Sequence, residues 1–285
     1  MQTAKPTPLL QQATRQADRW GVTSLQPVLE TPDRVVLRGM SGKTAVALKL
    51  YRDLGRGGEG AAVPFLRGLP CGVGARVLRT SPLQRAVLFS WLAGPKLPQV
   101  ATEQGREIAE GHFCTVADAV IRHDFRRAFL FSRAAPRLAR TLSRRDPASL
   151  SPAGRAALQR TVGVLKRLTR TSPPEKVIHG DLGLGNIILT PDGPRLFDPK
   201  GYRADPALEC AKTLDARTEG IAAPAFADNI AASAGRLSLA LSLPADRIIG
   251  WGCVVWASHH FFRKQVATEP QHLLPYLDAY LDLCR

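Results

Sequence analysis

No apolar run in this chain approaches the ~20 residues that a bilayer-crossing helix needs. Its start, Met1-Gln2-Thr3-Ala4-Lys5-Pro6, holds no apolar signal core. Both absences point away from a membrane span and towards the cytoplasm. Cysteine is sparse and scattered. Cys71, Cys114, Cys210, Cys253 and Cys284 are odd in number and form no Cys-x-x-Cys pair, which argues against a disulfide framework and a zinc site. Aromatics make up 6% of the chain, and no aromatic-rich strand offers a platform for stacked bases. Acids are in deficit, 24 Asp and Glu against 39 Lys and Arg, for a formal charge of +15. That balance favours anionic partners such as nucleotides, phosphorylated molecules, nucleic acid or an acidic membrane surface. Compositional drift of an Ala-, Arg- and Gly-rich genome produces the same balance without functional meaning.

Glycine-rich phosphate loops are missing as well. Gly42-Lys43-Thr44 echoes a P-loop, but Leu37 stands where its first glycine belongs, so Ser41-Gly42-Lys43 reads as a hairpin turn. The turn Thr31-Pro32-Asp33 has no Gly-x-Gly. Gly180-Asp181 and Gly185-Asn186 echo the metallophosphoesterase pairs but lie too close together, and no His follows Asn186.

What is present is enough for a core. With 285 residues, 45% of them hydrophobic, the chain has room for about two domains or lobes. One stretch organises it. Val177-Ile178 lead into His179-Gly180-Asp181, and Asn186 follows five residues after Asp181. Ile187-Ile188-Leu189, the turn Thr190-Pro191-Asp192-Gly193 and Arg195-Leu196-Phe197 read as a β-hairpin that returns the chain to Asp198-Pro199-Lys200-Gly201. Asp181, Asn186 and Asp198 carry the side chains that phosphoryl transfer needs. A carboxylate takes the proton of an attacking hydroxyl, while an amide oxygen and a second carboxylate hold Mg²⁺.

Upstream, Pro8 to Trp20 has helical spacing. Ser24–Leu29, Arg34–Arg38 and Thr44–Tyr51 read as meandering strands. In the third of these, Lys49 stands among apolar neighbours within Val46-Ala47-Leu48-Lys49, placed to reach nucleotide phosphates. Asp53–Gly58 reads as a loop. Glu59 then opens a helical pattern and is placed to pair with Lys49. Gly74–Arg79 and Arg85–Leu92 form a further strand pair, and Ala93–Pro98 breaks regular structure. From Thr102 the pattern is helical. Arg122, Arg126, Arg133, Arg137, Arg140 and Arg144 recur at spacings that would stack them on one helix face, kinked at Pro136. That stripe, within segment 122–145, reads either as a solvated face or as a docking surface for an acidic partner. Ser151-Pro152 caps a helix expected to underlie the catalytic loop. His259-His260 lacks a third ligand at useful spacing and reads as structural.

His-Gly-Asp, the Asn186 spacing and Asp-Pro-Lys-Gly together resemble the aminoglycoside-phosphotransferase-like, protein-kinase-like family, and within it the streptomycin and hydroxyurea kinase branch. The resemblance implies an α+β protein-kinase-like fold. Its β-rich nucleotide-binding lobe is expected over residues 1–92, the linker over 93–98 and a mainly helical lobe over 99–285. It implies an ATP- and Mg²⁺-dependent kinase that phosphorylates a hydroxyl of an antibiotic, sugar or related metabolite, with antibiotic resistance as one role. Asp181 would be the base and Asn186 and Asp198 the metal ligands. Lys49 would contact phosphate, Glu59 would orient it, and backbone at Ser90, Trp91 and Leu92 would meet the adenine edge. Lys200 is a further candidate for phosphate or substrate. The Asp of Asp205-Pro206 is expected to steady the catalytic segment. Asp205, Glu209, Asp215 and Glu219 are candidates to line a pocket for a cationic acceptor. Two readings stay open beside the kinase: a nucleic-acid-binding protein that uses the arginine stripe, and a kinase-fold nucleotide sensor.

Overall fold

The computed structural model describes residues 7–52, 59–97, 103–214, 222–262 and 269–284. Two compact units divide the chain. The first holds residues 1–95 with 188–200, and the second 96–187 with 201–285.

The first unit begins with α1 (Pro8–Arg19), capped by Thr7, whose hydroxyl accepts from the Leu10 amide. Strands β1 (Val22–Glu30), β2 (Arg34–Ser41) and β3 (Thr44–Tyr51) follow. Next come a short helix, α2 (Ala62–Gly68), and β4 (Val77–Ser81) and β5 (Ala86–Ser90). They form a five-stranded sheet in the order β1-β2-β3-β5-β4, so β3 is central. Its neighbours β2 and β5 both run antiparallel to it. Ser41-Gly42-Lys43 is the expected hairpin turn, with Gly42 at φ +61°.

Alternation along these strands sorts the two faces. Val35, Leu37, Val46, Leu48, Leu50, Ala86 and Leu88 form one buried cluster with Ala13 and Ala17 of α1. Lys49 lies between Leu48 and Leu50 in sequence and so points from the opposite face. There Val36 and Val87 flank it in register, and Tyr51 lies beneath its ammonium, 4.8 Å from Nζ to ring centroid.

Strands β7 (Ile187–Thr190) and β8 (Gly193–Leu196) make the expected hairpin. From Ile188 on it belongs to the first unit, which corrects the contiguous division that gave all of 99–285 to the helical lobe. The reason is backbone pairing. The Leu196 amide donates to the Val73 carbonyl at 3.0 Å, the Ala75 amide to the Leu196 carbonyl at 3.0 Å, and the Leu189 amide to the Pro95 carbonyl at 3.0 Å.

The second unit is mainly helical, with α3 (Glu103–Arg122), α4 (Ala134–Ser143), α5 (Pro152–Arg170), α6 (Ala223–Leu241), α7 (Ala245–Trp256) and α8 (Leu274–Asp282). Two short strands, β6 (Lys176–Ile178) and β9 (Tyr202–Ala204), pair antiparallel. Ser151 caps α5 with Pro152 at the first helical position, as its sequence indicates. Helix α5 packs mainly on α4, α7 and α8, however, while α3 and the turn Pro206–Cys210 abut β6.

The arginine stripe is not one helix face. Arg122 ends α3, Arg126 lies in a connector, and Arg133 precedes α4. Pro136 sits in the first turn of α4, where a missing amide costs little. Arg122 pairs with Asp118 at 2.5 Å, Arg133 with Glu175 at 2.7 Å, and Arg137 lies over the Tyr202 ring.

Asp205 ties this unit together. It is 3% exposed. One carboxylate oxygen caps the Pro206–Cys210 turn at the Ala207 amide, 3.0 Å away. The other accepts from Arg247 Nε at 2.9 Å and Trp251 Nε1 at 2.7 Å. Arg247 also reaches the Leu168 carbonyl at 3.0 Å. Removing the carboxylate leaves a half-buried guanidinium and an indole N–H without their acceptor. Asp205→Ala is therefore expected to lower unfolding stability by about 3–5 kcal/mol, read as a fall in denaturant midpoint.

Candidate active site

In the first unit, β8 leads through Phe197 to Asp198, which adopts φ +59°. That left-handed conformation is uncommon for a residue with a side chain, although Asp tolerates it better than most. It follows the end of the hairpin ladder. Its carboxylate, 20% exposed, accepts from Lys49 Nζ at 2.5 Å through one oxygen and from Arg34 Nη1 at 3.4 Å through the other. Burial pushes this carboxyl up, but Lys49, Arg34 and Lys200 together outweigh burial and hold it below the ordinary carboxylate range. Lys49 itself is 8% exposed.

Lys49 thus pairs with Asp198. Glu59, the expected partner, opens the turn Glu59–Ala61, and its side chain lies outside the described residues. So do the loop 53–58, Pro98, Asp215 and Glu219. At the expected adenine edge, the Ser90 amide donates to the Arg76 carbonyl at 2.9 Å and the Trp91 amide to the Ala45 carbonyl at 3.1 Å. These two N–H groups serve the sheet.

Arg34 was not singled out by its sequence. It follows the turn 31–33, whose groups are already bonded among themselves. The Thr31 amide donates to the Arg34 carbonyl at 2.9 Å, and the Arg34 amide to Thr31 Oγ1 at 3.1 Å. A surface arginine at a strand start carries no sequence signal; only the return of the hairpin places an acid beside it.

In the second unit, β6 delivers His179-Gly180-Asp181. Gly180 has φ +77°, and a Cβ there would lie 2.4 Å from Tyr202 Cδ2. Both facts exclude a side chain where protein kinases carry Arg. His179 is fully buried, its Nδ1 accepts from the Asp181 amide at 3.3 Å, and its carbonyl accepts from Gly201 at 3.0 Å. It braces the loop. Asn186 ends the turn Leu184–Asn186, and its Nδ2 donates to the Asp181 carbonyl at 2.7 Å. With the amide nitrogen so engaged, Oδ1 is the end that can face a cation.

Glu209 is the second residue whose role sequence reading misplaced. It is 1% exposed and its oxygens accept the His179 amide at 2.8 Å and the Gly180 amide at 3.0 Å. It anchors the loop from inside and lines no pocket for a cation. The same holds for Asp205. Burial pushes Glu209 up to about 7; the two amides oppose this and Asp181 adds to it.

Backbone comparison gives the class. The chain has the protein-kinase-like fold of aminoglycoside phosphotransferase APH(4)-Ia, crystallised with ADP and hygromycin B, at TM-score 0.66 and 12% identity over 95% of this chain and 98% of that one. Aminoglycoside phosphotransferase APH(3'')-Id from Streptomyces rimosus, held with ADP and streptomycin, gives 0.62 at 20% identity over 89% and 99%. A choline/ethanolamine kinase family protein from Mesorhizobium loti gives 0.60 at 15% over 97% and 96%. Sequence gives the family. The profile described as the phosphotransferase enzyme family matches residues 45–242, and the chain belongs to it. Over 48 residues the chain is also 44% identical to a probable ketoamine kinase of Klebsiella pneumoniae and 42% to probable ketoamine kinase YniA of Escherichia coli. Those matches span 17% of this chain and 39% and 17% of the two relatives.

The Glu209 anchor generates a pH prediction. Its folded value lies above the ordinary glutamate value of about 4.3, so the unfolded chain loses this proton first as pH rises. Folding stability contributed by the group therefore falls between about pH 4 and about pH 7, by about 4 kcal/mol at most. In Glu209→Gln that titration is gone. The wild-type minus variant stability difference, from denaturant midpoints, is expected to decline across this window and flatten above it.

Proposed function

We propose that this chain transfers the γ-phosphoryl group of ATP to a hydroxyl of a small molecule. The observation that carries the reading is the Lys49–Asp198 pair at the end of a hairpin whose first strand begins directly after Asn186. Phosphoryl transfer asks a protein for positioned charge more than for covalent chemistry. Lys49 and Arg34 are the cations that meet the nucleotide phosphates, with Lys200 near Asp198 as a third. Asp181 takes the hydroxyl proton as the acceptor oxygen bonds to the γ-phosphorus. The bond from that phosphorus to the β-γ bridging oxygen breaks, and ADP carries the pair away.

Asn186 Oδ1 and the Asp198 carboxylate are hard oxygen donors that fit Mg²⁺. That ion takes one or two protein carboxylates or carbonyls and completes its shell with water and phosphate. When bound, such an ion would supply charge neutralisation for the transferred phosphoryl group. Asp198 enters this chemistry already ionised, because its cationic neighbours hold its proton affinity down.

The acceptor is a separate question. The neighbouring crystals held hygromycin B and streptomycin and the partial relatives are ketoamine kinases by name. An antibiotic, a sugar and a sugar-derived metabolite all present the required hydroxyl.

Two measurements test this reading. The first is Mg²⁺-dependent ATP binding and transfer to a panel of hydroxyl compounds. Asp198→Ala is expected to abolish Mg²⁺-dependent binding, and Asp181→Ala to keep binding while turnover falls at least about 10²-fold. Undiminished turnover in Asp181→Ala overturns the assignment of the base. Bound ATP with no transfer to any acceptor supports a nucleotide sensor instead. The second measurement concerns Arg34, which shares the Asp198 carboxylate with Lys49. Arg34→Gln is expected to raise KM for ATP about tenfold, with Arg34→Lys between the two. An unchanged KM removes Arg34 from the phosphate site.

A further inference from the structure

Positive charge is not spread evenly over this chain. Residues 126–170 hold twelve of the 39 Lys and Arg and one of the 24 Asp and Glu, so these 45 residues carry +11 of the formal +15. Compositional drift acts on the whole sequence and leaves such a concentration unexplained. All of these residues lie in the second unit, in the connector before α4, in α4 and in α5. Eleven of the twelve cations are exposed, Arg145 being the buried one. Some serve neighbours: Arg133 pairs with Glu175, Arg160 with Asp278 and Asp282, and Arg137 lies over Tyr202. Of the nearby acids, Asp118 serves Arg122, Asp146 caps the turn Pro147–Ser149, and Asp124 is exposed.

Bulky apolar groups stand among these charges. The single turn Ala128–Leu130 leaves Phe129 74% and Leu130 49% exposed. Its backbone is closed on itself. The Ala128 amide donates to the Phe125 carbonyl at 3.1 Å, the Leu130 amide to the Arg127 carbonyl at 3.0 Å, and the Phe131 amide to the Ala128 carbonyl at 3.2 Å. Phe125 and Phe131 are buried on either side and meet edge to face, 5.8 Å between centroids. Two aromatic anchors thus hold out two apolar side chains, with Arg126 and Arg127 before them and Arg133 after. Arg133 also borders a cleft of about 460 Å³ between α4 and α5. Ala135, Ala139 and Leu142 line one wall, Val162 and Leu165 the other, and the exposed Lys166 lies beside them. Three residues span at most about 10 Å, so the turn and the cleft are neighbours. Apolar surface left open and rimmed by charge marks an interaction site.

The partner must be acidic and must offer an apolar phase. Nucleic acid meets the first condition, but no aromatic residue lines the cleft to stack on bases. An acidic protein would have to supply a matching pocket for Phe129. A bilayer of acidic phospholipid needs none: guanidinium groups meet its phosphates, and a Phe-Leu tip enters the boundary between headgroups and acyl chains. We propose that the connector 126–133 and the α4–α5 cleft form a docking surface for an anionic phospholipid bilayer, with Phe129 and Leu130 inserted and the arginines around them on lipid phosphates. The inference is independent of the kinase reading.

The test is co-sedimentation of the full chain with vesicles of phosphatidylcholine alone and of equimolar phosphatidylcholine and phosphatidylglycerol. Partitioning onto the anionic vesicles is expected to exceed that onto the neutral ones at least about tenfold and to fall as salt is raised. Exchanging Arg126 and Arg127 together for Gln is expected to weaken it about tenfold or more. Phe129→Ser combined with Leu130→Ser is expected to do the same. All four side chains are exposed, so denaturant midpoints are expected to stay at the wild-type value. Insertion has its own readout. Relative to wild type, Phe129→Trp is expected to add a blue-shifted emission component on anionic vesicles that brominated acyl chains quench. Equal partitioning onto both vesicle types, partitioning onto neither, or undiminished partitioning of the Phe129/Leu130 double variant overturns the proposal. So does capture of a single-stranded oligonucleotide in place of the anionic vesicles.

Discussion

A carboxylate held among cations is the constraint on which the first unit depends. Asp198 sits in a left-handed backbone conformation at the end of a hairpin, and its side chain is largely withdrawn from water. Burial alone would favour its neutral form. Lys49 from the central strand, Arg34 from the neighbouring strand and Lys200 just beyond the hairpin reverse that preference. Three separate features of the chain must therefore agree for one group to be ionised. The alternation of β3 must turn Lys49 away from the α1 face. The register of β2 must bring Arg34 to the same edge. The pairing of β8 with residues 73–75 must return the hairpin to the sheet. An ionised acid held between cations is preorganised, since none of these groups has to change its charge to meet an ion.

The second unit solves a different problem with the same kind of group. Its buried acids do not react; they build. Asp205 collects Arg247, Trp251 and a turn amide, while Glu209 collects two consecutive loop amides. The loop His179–Asp181 is thus fixed through its backbone. The two anchors differ in cost. Asp205 has a guanidinium to offset its charge. Glu209 has only amide dipoles, and its raised proton affinity is the visible consequence. An Asp in that position, one methylene shorter, would not span the same distance without moving the turn.

Local chemistry was legible before any coordinates. His-Gly-Asp, Asn186 and Asp-Pro-Lys-Gly are contiguous enough that spacing alone points to the family, and the Pro-Asp-Gly turn announces the hairpin. The Ser151-Pro152 cap and the Gly42 turn are likewise written in single residues. What escaped was whatever depends on a partner distant in sequence. Lys49 sits 149 residues from Asp198 and Arg34 sits 164 from it, so neither pairing has a sequence pattern. Glu209 looked like a pocket acid because charged residues are mostly exposed; only the fold shows two orphan amides waiting for it. The arginine stripe failed for the opposite reason. Its periodicity was real, but periodicity does not show where a helix ends, and the chain breaks between Arg122 and Arg133.

Those same placements decide how the formal charge of +15 should be understood. A net charge acts at long range and is screened within about 8 Å at physiological ionic strength. It can steer a nucleotide, but it cannot choose an acceptor. Choice belongs to the few groups that touch the ligand, and it depends on which charges the fold keeps inside. Here Asp205 and Glu209, which follow β9, are turned inward to brace the loop. A surplus of arginine across the chain is what compositional drift also produces; a carboxylate brought onto Lys49 from 149 residues away requires the fold. The pairing of Asp198 with Lys49 and Arg34 would stand unchanged if the net charge were zero.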